Sequence, residues 1–267
     1  MRTSRSGLPE AGPDSWALVT GATSGIGAAF ARELGRRGFR LILTGRRETE
    51  LRAVGSEIGE ERVELLLAEL SEERDLERVL RSAEGRAIDV LINNAGFGIG
   101  KRFHRGDLKE EIRMARVHVE APMRLIHAVA PGMVERGRGL IVNVASLAAF
   151  APLPGSATYS ATKAFLVAFS ESLAMELGSS GVRVQALCPG FVRTHFHSGL
   201  RMPERVLRGG FFLRWSTPEA VVRASLRALG GRKVVCIPGF GNRFLRGVLA
   251  LVPRALYYRV LTGAKLA

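Results

Sequence analysis

The sequence predicts an α/β fold in which one parallel sheet is wound on both faces by helices. Three observations predict it: seven short apolar runs recur along the chain, helical patterns alternate with them, and a glycine-rich turn follows the first run. The runs are WALVTG (16–21), FRLILT (39–44), VELLLA (63–68), DVLINN (89–94), LIVNVA (140–145), VRVQALC (182–188) and KVVCIP (233–238). Each is apolar on both faces, as strands covered from both sides must be.

Between the runs, apolar residues share single helical faces: Ile26, Phe30 and Leu34, then Leu51, Val54 and Ile58, then Leu76, Val79 and Leu80. Asp107 with Glu110 reads as a capping pair that opens a long helix to about Glu135. Thr217-Pro218-Glu219 is an N-cap followed by proline at the first helical position. No internal repeat and no Pro- or Ser-rich linker divides the 267 residues, so one core is expected. The expected organisation is a flexible leader at 1–14, a single Rossmann-type domain of about seven strands at 15–240, and a C-terminal helical extension at 241–267. The irregular stretch 191–215 reads as a lid.

The formal net charge is +14, and after Glu219 there is no acidic residue at all. Such an excess suits solubility, an anionic lipid surface or nucleic acid, but no nucleic-acid recognition motif accompanies it. Cys188 and Cys236 each lie in an apolar run without metal-ligand or disulfide spacing, which fits a reducing cytoplasm. The leader lacks an apolar h-region, and Gly, Pro and Arg interrupt every candidate membrane span.

The first strand runs into Thr20-Gly21-Ala22-Thr23-Ser24-Gly25-Ile26-Gly27 and then opens a helix. Glycines there let a pyrophosphate approach the free N–H groups of the helix N-terminus, so a dinucleotide is expected. The second strand ends in Thr44-Gly45-Arg46-Arg47, where a carboxylate would hold the ribose hydroxyls of NAD. Arginines instead suit a 2′-phosphate. The expected cofactor is therefore NADP(H), with Arg46 the first contact and Arg47 the second.

Tyr159 and Lys163 stand four apart on a helix and share a face. An ammonium near a phenol lowers its pKa toward neutrality. Ser146 follows the LIVNVA strand and can donate a hydroxyl to the same place. A donor, a tunable acid/base and a charge are what hydride transfer to a ketone needs, because an alkoxide must be stabilised and protonated.

With these residues the chain resembles the short-chain dehydrogenase/reductase family. Its TGxxxGIG stands at Thr20–Gly27, its NNAG at Asn93-Asn94-Ala95-Gly96, its Ser…Tyr-x-x-x-Lys at Ser146, Tyr159 and Lys163, and its PG…T at Pro189-Gly190 with Thr194. The resemblance implies that Tyr159 moves the proton, that Lys163 binds the nicotinamide ribose and lowers the tyrosine pKa, and that Ser146 orients the substrate oxygen. It implies that Gly21, Thr23, Ser24, Gly25, Ile26 and Gly27 bind cofactor, with Asn93, Ala95 and Gly96 on the adenosine-ribose side. Pro189, Gly190, Val192 and Thr194 would lie against the carboxamide and phosphates. Glu69, before Leu70, stands where an aspartate commonly accepts from the adenine amine, and His118 stands where the family usually has a relay asparagine. His118 is either a tolerated packing substitution or a catalytic group that alters the pH optimum.

His195-x-His197 invites a metal, but no third ligand has a fixed spacing, so none is expected. Phe150, Phe211, Phe212 and Trp215 suggest an apolar substrate wall. The tail reads as two short helices joined at Pro253. One would carry Phe244, Leu245, Val248, Leu249 and Val252 on a face beside Arg243 and Arg246; the tail suits a lid, a partner subunit or a membrane surface. The reading is an NADP(H)-dependent interconversion of a carbonyl and an alcohol, in a homodimer or homotetramer. Its rival is a cofactor-binding regulator with weak turnover.

Overall fold

A computed structural model describes residues 7–194, 215–231 and 233–262. The strands are β1 (Trp16–Thr20), β2 (Arg40–Gly45), β3 (Val63–Leu67), β4 (Ile88–Asn93), β5 (Gly139–Val144), β6 (Val182–Leu187) and β7 (Val235–Cys236). They form one sheet in the order β3-β2-β1-β4-β5-β6-β7, every pair parallel. The helices are α1 (Gly25–Arg36), α2 (Glu48–Ile58), α3 (Glu73–Ala83), α4 (Leu108–Ala115), α5 (Ala121–Glu135), α6 (Ala157–Leu177), α7 (Pro218–Gly230), α8 (Phe240–Leu251) and α9 (Arg254–Thr262).

Strand side chains alternate between two cores, as the period of two requires. Ala17, Val19, Leu41, Leu43, Val90 and Ile92 pack with Phe30, Leu34, Leu51 and Leu226 from α1, α2 and α7. Leu18, Ile42, Leu91 and Ile141 face the other way, onto Leu76, Val79, Leu125 and Ile126 from α3 and α5. At roughly 1.5–3 kcal/mol for each large side chain, these two layers are the main source of stability.

The strand order reverses between β1 and β4, and a doubly wound sheet opens its ligand crevice beyond the carboxyl ends of such strands. The Thr20 hydroxyl ties those two ends together, accepting the N–H groups of Asn94 (2.9 Å) and Ala95 (3.0 Å).

Four expectations change. β3 is an edge strand whose side chains are mostly half-buried and Leu67 exposed, because helices cover an edge less completely than the centre. The 233–238 run pairs only at Val235 and Cys236, so β7 is two residues long. The leader is docked from residue 7 onward: Leu8 is buried, and the Gly7 carbonyl accepts from the Arg183 guanidinium at 2.9 Å. The long helix after Asp107 contains a π turn, Arg116–Glu120, between α4 and α5. Asp107 caps it by accepting the Lys109 N–H at 2.9 Å, while Glu110 turns to Arg113 instead of closing the capping box.

Thr217 caps α7 as read, accepting the Ala220 N–H at 3.2 Å. The ends of the 191–215 segment meet at a parallel bridge between Val192 and Ser216. His195, His197, Phe211 and Phe212 lie outside the described residues.

Candidate active site

A cavity of about 1270 Å³ opens at the switch point. Ordinary small-molecule sites enclose roughly 300–1,000 Å³, so this one has room for two ligands. Its floor is the glycine turn. Gly21 and Gly25 hold φ of +65° and +59°, and a Cβ on Gly21 would come within 2.9 Å of the Ala95 Cα. Ser24 is the N-cap of α1 but forms no side-chain cap, which leaves the helix N-terminal N–H groups for an anion.

Gly21, Thr23, Ser24, Gly25 and Ile26 line the cavity, as do Arg46, Arg47, Glu69, Leu70, Ala95, Gly96, Pro189, Gly190, Val192 and Thr194. The two arginines differ in company. Each pairs with a carboxylate at 3.1 Å, Arg46 with Glu69 and Arg47 with Glu50, but Arg47 also donates to the hydroxyls of Thr23 (3.0 Å) and Ser24 (2.8 Å) on the glycine turn.

Two expected cofactor residues are absent from the wall. Gly27 packs inward, since a Cβ there would meet the Gly21 carbonyl at 2.3 Å. Asn93 is buried in a polar chain: its amide donates to Asn143 Oδ1 at 2.9 Å, and Asn143 in turn donates to Ser170 at 2.9 Å. Its neighbour Asn94 lines the cavity instead and holds the turn by donating to the carbonyls of Thr20 (2.9 Å) and Gly21 (3.0 Å).

Ser146, Tyr159 and Lys163 meet at the opposite wall. The Ser146 hydroxyl accepts the Ala148 N–H at 3.1 Å and hydrogen-bonds the Tyr159 phenol. The Lys163 ammonium donates to the Val144 carbonyl at 2.8 Å and lies 5.8 Å from the centre of the Tyr159 ring.

Burial pushes the phenol above its ordinary value near 10, and the bond from Ser146 partly opposes this. In the protein alone burial is thus the larger effect on the phenol, and its net shift is upward rather than toward neutrality. Burial also lowers Lys163 itself to about 8, because a cation is costly to desolvate.

His118 does not reach the cavity. Its side chain is 1 % exposed, and both ring nitrogens are engaged. Nε2 accepts the Phe97 N–H at 3.1 Å. Nδ1 faces Thr162 Oγ1 at 2.9 Å, and because that hydroxyl donates to the Tyr159 carbonyl, Nδ1–H is the donor. The imidazole is therefore neutral, and its pKa lies well below 6.5 from burial and the nearby Lys163 charge. The placement of His118 among the catalytic candidates is corrected: it braces Phe97 against the Tyr–Lys helix and leaves no nitrogen for substrate.

Two of the expected wall residues, Phe150 and Trp215, do not line the cavity. Phe150 lies under Arg246, 5.2 Å away, and Trp215 packs on Phe191. Among the described residues the apolar lining comes from Phe191, Leu153 and the tail residues Leu245, Leu249, Tyr257 and Leu261. Tyr257 straps α9 across the mouth by donating to the Pro152 carbonyl at 2.8 Å. Gly190 admits the tail, since a Cβ there would strike Asn242 Oδ1 at 2.6 Å. Glu111, a carboxylate only 6 % exposed, also borders the cavity. Tertiary placement alone shows these contacts: no local pattern marks Glu111, and the apolar helical face that carries Tyr257 in the sequence does not say what it covers.

Among the described residues, no group of His, Cys, Asp and Glu could hold a metal ion, and no helix is long and apolar enough to cross a membrane.

The chain is similar to known proteins. Residues 15–205 match the family model described as short chain dehydrogenase. The chain is 32% identical over 260 residues to the very-long-chain 3-oxoacyl-CoA reductase of Anas platyrhynchos, covering 94% of this chain and 80% of that protein. It is 36% identical over 185 residues to the inactive hydroxysteroid dehydrogenase-like protein 1 of Homo sapiens, covering 67% of this chain and 56% of that one. Among solved structures, a short-chain dehydrogenase from Sphingobium yanoikuyae in complex with NADPH superposes with a TM-score of 0.76 at 33% identity, covering 90% of this chain and 97% of that one. A seven-stranded parallel sheet, a glycine cradle at its switch point and a Ser–Tyr–Lys wall, matched over most of the chain by that model, show that the protein belongs to the short-chain dehydrogenase family.

Proposed function

We propose that the protein is an NADP(H)-dependent oxidoreductase that interconverts a carbonyl and an alcohol on a lipophilic small molecule. The observation that carries this reading is the Tyr159 phenol on the cavity wall, bonded to Ser146 and one helical turn from the Lys163 ammonium. A dinucleotide bound at the glycine cradle supplies the hydride. Gly21 and Gly25 leave room for its pyrophosphate, and the uncapped start of α1 offers the N–H donors. Arg46 and Arg47 border the same cavity and supply the charge that a 2′-phosphate needs.

Ser146 donates to the substrate oxygen and holds it beside Tyr159. As the carbonyl carbon gains the hydride, the Tyr159 O–H bond breaks and its proton passes to that oxygen. The phenolate left behind is stabilised by the Lys163 ammonium. Leu153, Leu245, Leu249 and Leu261 exclude water and favour an apolar guest. The long-chain acyl substrate in the name of the Anas platyrhynchos relative agrees with such a wall.

The cofactor-binding domain spans 15–240 in this reading, with the tail completing the substrate wall. Two copies, or four, associate through the long helices bearing His118 and Tyr159, where Ile112, Met123 and Met175 are exposed. A reducing cytoplasm suits the free, buried thiols of Cys188 and Cys236.

A second reading, a binding protein without turnover, is favoured by His118 in the relay position and by the human relative described as inactive. Initial rates with NADPH and NADH against ketones graded by chain length separate the two. The reductase reading expects turnover that prefers NADPH and rises with chain length; NADPH binding without oxidation on any ketone would favour the second.

A further inference from the structure

We propose that the C-terminal helices α8 and α9 dock on an anionic phospholipid surface and set the mouth of the cavity against it. This goes beyond the reductase reading and does not depend on it. The apolar face that the sequence suggests for the tail is split in the structure. Leu245 and Leu249 turn inward to the cavity, together with Tyr257 and Leu261. Phe240, Phe244, Val248 and Leu251 follow spacings of four, four and three, which place them on a separate stripe of α8. That stripe is exposed: Phe240 is 77 % accessible and Leu251 85 %. On α9, Val260 is 72 % exposed and Leu256 also faces out. Nearly half of the exposed large apolar side chains among the described residues lie on these two helices. Scattered surface leucines need no explanation, but a stripe of this kind does.

Charge decides what covers it. Arg243, Arg246, Arg254 and Arg259 flank the apolar positions, and the chain after Glu219 holds no carboxylate side chain. Arg254 and Arg259 are exposed and form no ion pair among the described residues. A second copy of the same face would meet it isologously, arginine against arginine, with no acidic side chain on either tail to neutralise them. A bilayer bearing anionic headgroups offers phosphates to the arginines and acyl chains to Phe240, Leu251 and Val260, which is the pairing that interfacial helices exploit. The inner face of the same helices lines the cavity, so a lipophilic guest leaving the bilayer has a short path to the site.

The test is flotation of the full chain with vesicles of phosphatidylcholine alone or mixed with phosphatidylglycerol. Two variants are compared, Arg254→Gln with Arg259→Gln, and Phe240→Ser with Phe244→Ser and Leu251→Ser; thermal unfolding verifies their folding. The wild type floats with the mixed vesicles, and binding weakens as salt rises. The arginine variant loses roughly thirtyfold in partitioning, and the apolar variant at least about a hundredfold. Equal binding to both vesicle types, or none to either, would overturn the proposal. So would a dimer, seen by sedimentation, that the apolar variant converts to monomer while vesicles bind neither protein. None of these readouts requires turnover, so a failure here is separable from failure of the reductase reading.

Discussion

The His118 imidazole lies 2.9 Å from the Thr162 hydroxyl, one residue before Lys163 and three after Tyr159. With Phe97 N–H on its other nitrogen, it joins the loop after β4 to the helix that carries the proposed acid/base. Protonating it would break the Phe97 bond and bury a second cation near Lys163. The folded pKa is thus well below 6.5, while the unfolded chain binds a proton there. Stability contributed by the neutral form is present above 6.5 and is lost as pH falls, by about 1.4 kcal/mol per pH unit. Glu33, Glu57 and Glu73 are lowered from 4.5 and act only in more acid solution. The expected result is a denaturation midpoint that drops between about pH 6.5 and 5 in the wild type. His118→Asn removes that slope and leaves turnover unchanged or raised, whereas a collapse in kcat would give the imidazole a chemical part. His118→Leu strands the Phe97 N–H and costs about 1–3 kcal/mol.

Lys163, lowered to about 8, sets a limit on the reduction. The ammonium is present below that value and lost above it, while the phenol stays protonated to beyond 10. kcat/KM for ketone reduction therefore falls as pH rises through about 8. Lys163→Arg keeps its charge, so any remaining activity shows the falling limb displaced upward. An unmoved limb would assign it to another group.

Arg46 is paired with Glu69 and Arg47 with Glu50, and Arg47 alone of the two donates to Thr23 and Ser24 on the phosphate cradle. Charge-assisted bonds of roughly 1.5–3 kcal/mol to a 2′-phosphate correspond to about ten- to hundredfold in affinity. Arg46→Ala and Arg47→Ala each weaken NADPH by that factor in fluorescence titrations and spare NADH. Equal loss for both cofactors would remove that arginine from phosphate recognition.

Asn143 bridges Asn93 to Ser170 inside the sheet. Asn143→Ala leaves the Asn93 amide without its acceptor, and Asn93 Oδ1 already has no partner among the described residues. The cost in urea unfolding is about 1–3 kcal/mol, with NADPH affinity intact because Asn93 is off the cavity wall. A matching loss of NADPH affinity would return Asn93 to the binding surface.

Much of this was legible in the sequence because it is local. The glycine turn, the strand runs and the Tyr159–Lys163 spacing each follow from the backbone conformation or helical period of a short segment. What was not legible depends on elements distant in the chain. Whether Asn93 or Asn94 meets the cavity depends on which way the residues turn at the end of β4. Phe150 leaves the expected wall and Leu153 joins it because the tail crosses over them, pinned by Tyr257 to Pro152. The tail itself looked singly amphipathic, and only its seat on the cavity divides the apolar residues between two faces.

The central claim, that the Tyr159 phenol delivers the proton, is tested most directly by Tyr159→Phe. NADPH binding is measured by fluorescence, and NADPH oxidation is followed with the best ketone of the graded panel. Removing a positioned acid lowers kcat by roughly 10²–10⁴-fold, and NADPH affinity should be nearly unchanged. Turnover close to that of the wild type, with NADPH still bound, would contradict the account.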